Sequence, residues 1–446
     1  MTSAASAQST PAQRWLARLS FVLAGLAIVI LVVFAELKSL AMFAVGLVAA
    51  AVSVAAAYFV LSRRGVVRWL SLGVLVLVPI AVIAIFAFGG VLWVAIVSAG
   101  VWLLAGVTAR QALTGHPEDW RMPEYPAQPP ARRPYLIMNP KSGDGKVVKF
   151  DLKRKAEALG AEVFLFGESG PVDVAAIARQ AVANGADLLG VAGGDGTQAL
   201  VAGIAAEHGL PFVVISAGTR NHFALDLGLD REDPARCLSA LADGVELRVD
   251  LGVINGQTFV NNASFGAYAE IVETPAYRGD KMGTTLNLLP DLLQGHRGAQ
   301  LAAQVDGTRI EAPQALLVAN NPYGTGDLAG LSRRTRLDGG ILGVVGVTVS
   351  NAAQAVDLLR GIRGAGVSVL TTRQIEITAN APQIPVGVDG ESILMSTPVT
   401  CTVSPGALRV WVPRERPGVP APKPAVNWAR LRQLVGGRRA PAEVTM

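Results

Sequence analysis

The chain has 446 residues, a formal charge of +5, only two cysteines, and a hydrophobic content of 51%. That length fits two or three domains, and two cysteines exclude a disulfide framework and fit a reducing cytosolic setting for any soluble part. A mean hydropathy of +0.40 is too high for an ordinary soluble protein.

The apolar excess lies in the first quarter. Leu19–Ala35, Ser39–Ser62 and Trp69–Ala109 carry no charge. A bilayer core needs roughly 20 apolar residues per helix, so the last run is long enough for two, divided at Gly89-Gly90. Four spans are predicted, near 17–35, 40–61, 68–88 and 91–109, within a transmembrane region over 1–110. Arg14, Arg18, Arg63, Arg64, Arg68 and Arg110 flank them on one side. Positive-inside counting then puts both termini in the cytoplasm and predicts a multi-pass protein of the cell membrane. No ionisable residue lies inside a span, which favours an anchor over a transporter.

A Pro-rich linker follows over 111–133. Over 134–245, short apolar runs alternate with helical patterns: "PYLIMN", a helix in "KVVKFDLKRKAEALG", "AEVFLFG", "DVAAIARQAVANG", "DLLGVAGG", "GTQALVAGIAAEHG", "PFVVISAG", then helices in "HFALDLG" and "DPARCLSALADG". That alternation predicts an α/β lobe with a parallel sheet. Over 246–412, β-branched runs such as "ELRVDLGVI", "TFVNNASF", "QALLVANN", "ILGVVGVTV", "QIEITA", "VTCTVS" and "LRVWVP" predict a β-rich lobe, with helices near 284–295 and 352–363. Asn255-Gly256, Asp306-Gly307, Asp338-Gly339 and Asp389-Gly390 read as hairpin turns. A cleft between the lobes is expected to hold the ligand. The tail, 413–446, is Pro-rich and basic; residues 414–446 hold seven Lys/Arg against two Asp/Glu, so the tail carries the whole net charge. Such a tail suits anionic lipid or plain solvation better than a nucleic-acid face. Its "NWARLRQLVGG" is a candidate membrane-surface helix.

The chemistry concentrates at strand ends. Four histidines and two cysteines show no HxH, HExxH or CxxC spacing, which argues against zinc, and no GxSxG is present. "GGDGT", Gly193–Thr197, follows a buried strand and opens a helix. Glycines admit a phosphate closely and the helix N-terminus supplies free N–H groups; Asp195 beside phosphates suits magnesium or simply caps the helix. Gly145-Lys146 does not complete a P-loop, because Pro140 and Val147 occupy required positions. A dinucleotide fingerprint wants an acid ending the next strand, and "VISAG" has none. "NPKSGDGK" (Asn139–Lys146) and "SAGTRNHFA" (Ser216–Ala224) are two further glycine loops of anion-binding type.

"NPKSGDGK", "GGDGT", "AGTRNHFA" and "VDGE" (Val388–Glu391) occur in the order found in the diacylglycerol kinase catalytic family, which the region 134–412 resembles. The resemblance implies an α/β nucleotide lobe plus a β-sandwich lobe, with ATP held between them. It implies that Gly193, Gly194, Gly196 and Thr197 bind phosphates, with Asp195 near magnesium, and that Asn139, Ser142, Gly218 and Thr219 line the nucleotide. Asp389 is the implied general base with Glu391 beside it, and Asp338 matches a structural magnesium site. The family usually follows GGDGT with Asn-Glu, where Gln198-Ala199 stand here. It has aspartate where this chain has His222, and Asp250 is the carboxylate expected to compensate. The reading is a membrane-anchored, ATP- and magnesium-dependent kinase of a diacylglycerol-like lipid, compatible with a homodimer and with no nucleic-acid partner. Phosphorylation of a soluble acceptor such as NAD, or a silent nucleotide- or lipid-binding module, are the alternatives.

Overall fold

The computed structural model describes residues 10–34, 37–63, 65–90, 92–114, 121–166, 172–266, 269, 299–323, 333–334, 336–348, 366–419 and 426–436. Four helices open the chain: α1 (Pro11–Phe34), α2 (Leu37–Ser62), α3 (Val66–Phe88) and α4 (Leu92–Leu113). They follow the four apolar stretches, although α1 starts early enough to include Arg14 and Arg18. By length and composition α1, α3 and α4 can cross a membrane; the described side chains of α2 give a shorter apolar stretch, Ala44–Val60. Gly90, at φ 72°, makes the expected turn before α4. α1 packs along α4 and α2 along α3. Ser98 donates its hydroxyl to the Ala27 carbonyl at 2.9 Å, joining α4 to α1. Large apolar side chains such as Val22, Val32, Leu77 and Leu103 remain exposed, a surface suited to hydrocarbon rather than to water.

The elements that follow are β1 (Tyr125–Pro126), β2 (Pro134–Met138), α5 (Lys146–Lys149), α6 (Leu152–Ala158), β3 (Glu162–Leu165), α7 (Val174–Ala183), β4 (Leu188–Ala192), α8 (Asp195–Glu207), β5 (Pro211–Ile215) and α9 (His222–Asp226). A 3-10 helix over Pro234–Leu241 replaces the α-helix expected there. The helix expected from Lys146 onward is broken between α5 and α6, where Asp151 adopts φ 52°. β2, β3, β4 and β5 pair in parallel. β4 and β5 are buried at every position, as central parallel strands covered on both faces are.

The second half is β6 (Gly244–Ile254), β7 (Gln257–Phe259), β8 (Asn262–Gly266), β9 (Leu301–Val305), β10 (Thr308–Glu311), β11 (Ala315–Asn320), β12 (Leu342–Val347), β13 (Val367–Thr372), β14 (Gln374–Ala379), β15 (Gln383–Val388), β16 (Glu391–Ser396) and β17 (Val399–Pro413). Six of these strands form an antiparallel sheet in the order β13-β12-β11-β8-β15-β16. The expected turns at Asn255-Gly256, Asp306-Gly307 and Asp389-Gly390 do connect hairpins. Asp338-Gly339 does not; it lies in the loop entering β12. The helices expected near 284–295 and 352–363 lie outside the described residues.

The two halves are more continuous than two separate sheets would be. "VTCTVS" and "LRVWVP" form one strand, β17, which pairs in parallel with β5 at one end and antiparallel with β14 at the other. The parallel sheet therefore runs on into β14, β9 and β10. Where β17 changes partners its register with β6 slips between Ser404 and Leu408, around Gly406 at φ 58°. Asp250, on β6, fastens this point. Its buried carboxylate accepts from Gly406 N at 2.7 Å, Gly340 N at 2.6 Å and Asn321 Nδ2 at 2.9 Å. Asp250→Ala leaves three donors without their acceptor, the buried Asn321 amide among them. It should cost about 2–4 kcal/mol, read as a lower unfolding midpoint of the solubilised protein; an unchanged midpoint would contradict this role.

Candidate active site

The three glycine loops meet at the carboxyl ends of β2, β4 and β5. Gly143, at φ 55°, packs so closely that an added Cβ would collide with the Ala217 carbonyl oxygen. A Cβ on Gly218 would lie 2.6 Å from the Gly193 oxygen and 2.9 Å from Gly194 Cα. These contacts explain the glycines: the loops touch backbone to backbone. Asn139 ties the first loop to β4, its N–H donating to the Ala192 carbonyl at 2.9 Å. Its side chain turns back to accept from Lys141 N. Ser142 starts the turn into α5, its carbonyl accepting from Gly145 N and Lys146 N. Asn221 braces the third loop, accepting from Gly218 N at 2.8 Å and donating to the Ser216 carbonyl at 2.9 Å. Thr219 is exposed at its tip.

Gly194 precedes α8 with open space at its Cβ position. No side chain caps α8, and N–H groups left free at a helix start are what an anion site requires. Gln198 holds the turn, its Nε2 donating to the Gly193 carbonyl at 3.1 Å. Asp195 does not cap its own helix. Its carboxylate reaches the next one, accepting from His222 N at 3.1 Å and Phe223 N at 3.2 Å at the start of α9.

Asp389 and Glu391 come to this place from the β15–β16 turn. A Cβ on Gly196 would lie 2.6 Å from Glu391 Oε1, so that carboxylate sits on the first turn of α8. Gly390 lies against the Arg220 guanidinium. Asp389 has φ 48°, tolerable for an Asp in a tight turn. Its carboxylate accepts from Val260 N at 2.8 Å, Asn261 N at 2.7 Å and Asn262 N at 3.1 Å. Burial pushes its pKa up to about 7 and Asp195 adds to the rise, against the pull of those N–H donors. A carboxylate poised near neutrality suits a general base. A groove of about 140 Å³ leads away from it between α8 and the β6–β7 turn, lined by Ala199, Gly203, Thr258, Val388 and Glu391.

The bonds beneath this turn have no counterpart among the sequence motifs. Arg334 is fully buried and pairs with Asp226, at the end of α9, at 2.7 Å. It donates to the Val260 carbonyl at 2.7 Å, the Asn320 carbonyl at 2.6 Å and Asn261 Oδ1 at 2.6 Å. Val260 and Asn261 thus present oxygens to Arg334 and amides to Asp389. The only sequence signal is the basic run "SRRTR", which reads equally well as solvated.

The loops fit a nucleotide triphosphate: three backbone cradles, an uncapped helix start and a carboxylate at one end. The donor set for magnesium fits less well. Asp338 is held by its neighbour Arg336 through two bonds of 2.8 and 2.7 Å, while both Asp195 oxygens accept backbone N–H groups. Among the described residues no three His, Cys, Asp or Glu gather to share an ion, but magnesium carried on phosphates needs only one or two carboxylates, and Glu391, exposed on the first turn of α8, is placed to be one. Asp250 does not take the place of the carboxylate missing at His222, since its oxygens serve Gly340, Gly406 and Asn321. The charges that bear on His222 are Asp195, Arg220, Arg334 and Arg231.

Comparison with known proteins agrees with this geometry. Residues 133–254 match the "Diacylglycerol kinase catalytic domain" family model, and residues 272–412 match the "YegS C-terminal NAD kinase beta sandwich-like domain". The chain is 26% identical over 272 residues to a diacylglycerol kinase of Bacillus subtilis, covering 58% of this chain and 90% of the relative. It is 30% identical over 297 residues to a probable YegS-like lipid kinase of Pseudomonas aeruginosa, covering 63% of this chain and 95% of the relative. A crystal structure of a putative diacylglycerol kinase from Bacillus anthracis shares the fold, with a TM-score of 0.50 at 22% identity, covering 64% of this chain and 99% of that one. With both lobes matched in order and nearly the whole of these relatives covered, the chain belongs to the diacylglycerol kinase catalytic-domain family, as a kinase with four apolar helices placed before its catalytic lobes.

Proposed function

We propose that this kinase transfers the γ-phosphate of ATP to a hydroxyl of a diacylglycerol-like lipid at the cytoplasmic face of the cell membrane. The observation that carries the reading is the meeting of Asp389 with the GGDGT helix start, beside a groove that leads away from both. ATP supplies the phosphoryl group; the chain supplies position and charge, which phosphoryl transfer chiefly needs. Gly193, Gly194, Gly196 and Thr197 offer backbone to the phosphates, and the loops at Asn139, Ser142, Gly218 and Thr219 frame the nucleotide. Asp389 accepts the hydroxyl proton as attack proceeds, with Glu391 beside it. The groove along α8 gives the acceptor a path to Asp389. The apolar helices support a membrane anchor, which keeps the lobes at the surface where the acceptor resides. Arg63, Arg68 and Arg110 at the helix ends support cytoplasmic lobes and termini.

Membranes containing the protein, incubated with labelled ATP, magnesium and a total membrane lipid extract, should yield a labelled phospholipid. Labelling of NAD by the same preparation, with no lipid product, would favour a soluble acceptor. Nucleotide binding with no product from any acceptor would favour a silent module.

A further inference from the structure

The basic tail carries a helix with two distinct sides. Past the Pro-rich stretch, α10 (Trp428–Val435) is capped by Asn427, whose Oδ1 accepts from Ala429 N at 3.1 Å and Arg430 N at 3.0 Å. Its spacing sets Trp428, Leu431, Leu434 and Val435 on one face, with Arg430 and Arg432 flanking that face on either side. The apolar face packs on the membrane helices. Leu431 is buried with Ala17, Ala109, Ala112 and Leu113, and the Trp428 ring meets Phe21 and Trp102.

These contacts set the depth of α10. Phe21 and Trp102 belong to the uncharged runs that match a bilayer core, Leu19–Ala35 and Trp69–Ala109. Ala17, Ala109, Ala112 and Leu113 stand at the ends of those runs, next to Arg18 and Arg110. α10 therefore lies across the boundary between hydrocarbon and head groups, with Trp428 on the apolar side. Tryptophan is favoured at that boundary, and Trp15 and Trp69 are exposed near the starts of α1 and α3. The charge at this level has one sign. α1, α4 and α10 carry Arg14, Arg18, Arg110, Arg430 and Arg432 and no Asp or Glu. Arg18, Arg110 and Arg432 are exposed, and the Arg18 guanidinium lies over the Trp15 ring. Apolar docking explains why α10 sits here, but it gathers like charges. The anionic head of a phospholipid is the counter-charge found at this depth.

We propose that α10 is an interfacial helix of the membrane region, and that Arg18, Arg110 and Arg432 form with it a binding surface for the head groups of anionic phospholipids. This rests on the membrane reading above and is independent of the kinase chemistry. The tail's charge then acts from a fixed place beside α1 and α4, not from a solvated end.

The test is binding of phosphatidylserine to the detergent-solubilised full chain, against phosphatidylcholine with the same acyl chains. That head group is neither the acceptor nor the product proposed above. The protein should prefer phosphatidylserine at least tenfold, since each arginine near the head groups is worth about fivefold. The preference should shrink as salt rises. Arg110→Gln combined with Arg432→Gln should cut it at least fivefold. Leu431→Gln keeps every arginine but withdraws the contact that places α10, and it should cut the preference about fivefold. Thermal unfolding of each variant separates lost binding from lost fold, and Arg432→Gln alone, at an exposed position, serves if the double variant does not fold. Equal binding of the two lipids by the unmodified protein would overturn the proposal, as would arginine variants with an undiminished preference. A Leu431→Gln protein with full preference would assign the effect to a solvated basic tail and overturn the docked surface. Release of the unmodified protein from membranes by alkaline carbonate, without detergent, would instead reject the membrane reading itself.

Discussion

Replacing Asp389 by Asn should lower kcat by roughly 10²–10⁴-fold, the usual contribution of a positioned general base, while leaving the affinity for ATP within a few-fold. Asn is the right substitution because it tolerates the left-handed backbone at φ 48° and keeps one oxygen for the amides of residues 260–262. The unmodified enzyme should carry a matching pH signature. A carboxyl whose pKa is raised to about 7 by burial stays protonated, and so unable to accept the hydroxyl proton, below that pH. kcat/KM should therefore fall about tenfold per unit as pH drops below 7 and level off above it. The Asp389→Asn protein, residual activity permitting, should lose that limb. A profile flat from pH 5 to 8 in the unmodified enzyme would place the base elsewhere.

Arg334→Met should destabilise the lobes by about 3–5 kcal/mol, the cost of leaving a buried charge without its partner. Asp226, already pushed up to about 6 by burial even with the guanidinium pulling it back, would lose its counter-charge. The Asn320 carbonyl would lose its donor, and the Val260 carbonyl would keep only the longer bond from Asn320 Nδ2 at 3.3 Å. Loss of order at 260–262 would then reach the amides that hold Asp389, so activity should fall together with the melting temperature. The double substitution Asp226→Leu with Arg334→Met removes both charges and should recover part of the stability. If the double variant is no more stable than Arg334→Met, the ion pair is not the source of the loss.

The glycine loops are legible in the sequence because each lies between a buried apolar run and a helix, and that local order determines which sheet edge they share. The VDGE turn can be placed only through resemblance, since nothing local brings residue 389 to residue 196. That meeting depends on β15 pairing with β8, a partner more than a hundred residues earlier. β17 reads as two runs because Pro405 and Gly406 look like an end, whereas Asp250 holds them as an irregularity within one strand. Arg334 is hidden for the same reason as the VDGE turn: its acceptors on residues 226, 260, 261 and 320 are assembled only by the fold. Asp338 matches a metal ligand by resemblance, but it has its bonding partner two residues away.

The tail bears on how the catalytic lobes are held. α10 (Trp428–Val435) packs on α1 and α4. Leu431 is buried there and Trp428 meets Phe21 and Trp102 at ring distances of 5.4 and 6.1 Å. At the other end, the segments entering and leaving the lobes are joined by the Arg416–Glu124 ion pair at 2.6 Å. The chain thus leaves one helical pair, forms the kinase lobes and returns to the same pair. A body on a single strand can swivel freely, whereas two neighbouring attachments confine it to rocking about the line between them. The angle at which the lobes stand to the helices is then set by the geometry of the chain as well as by chance encounter.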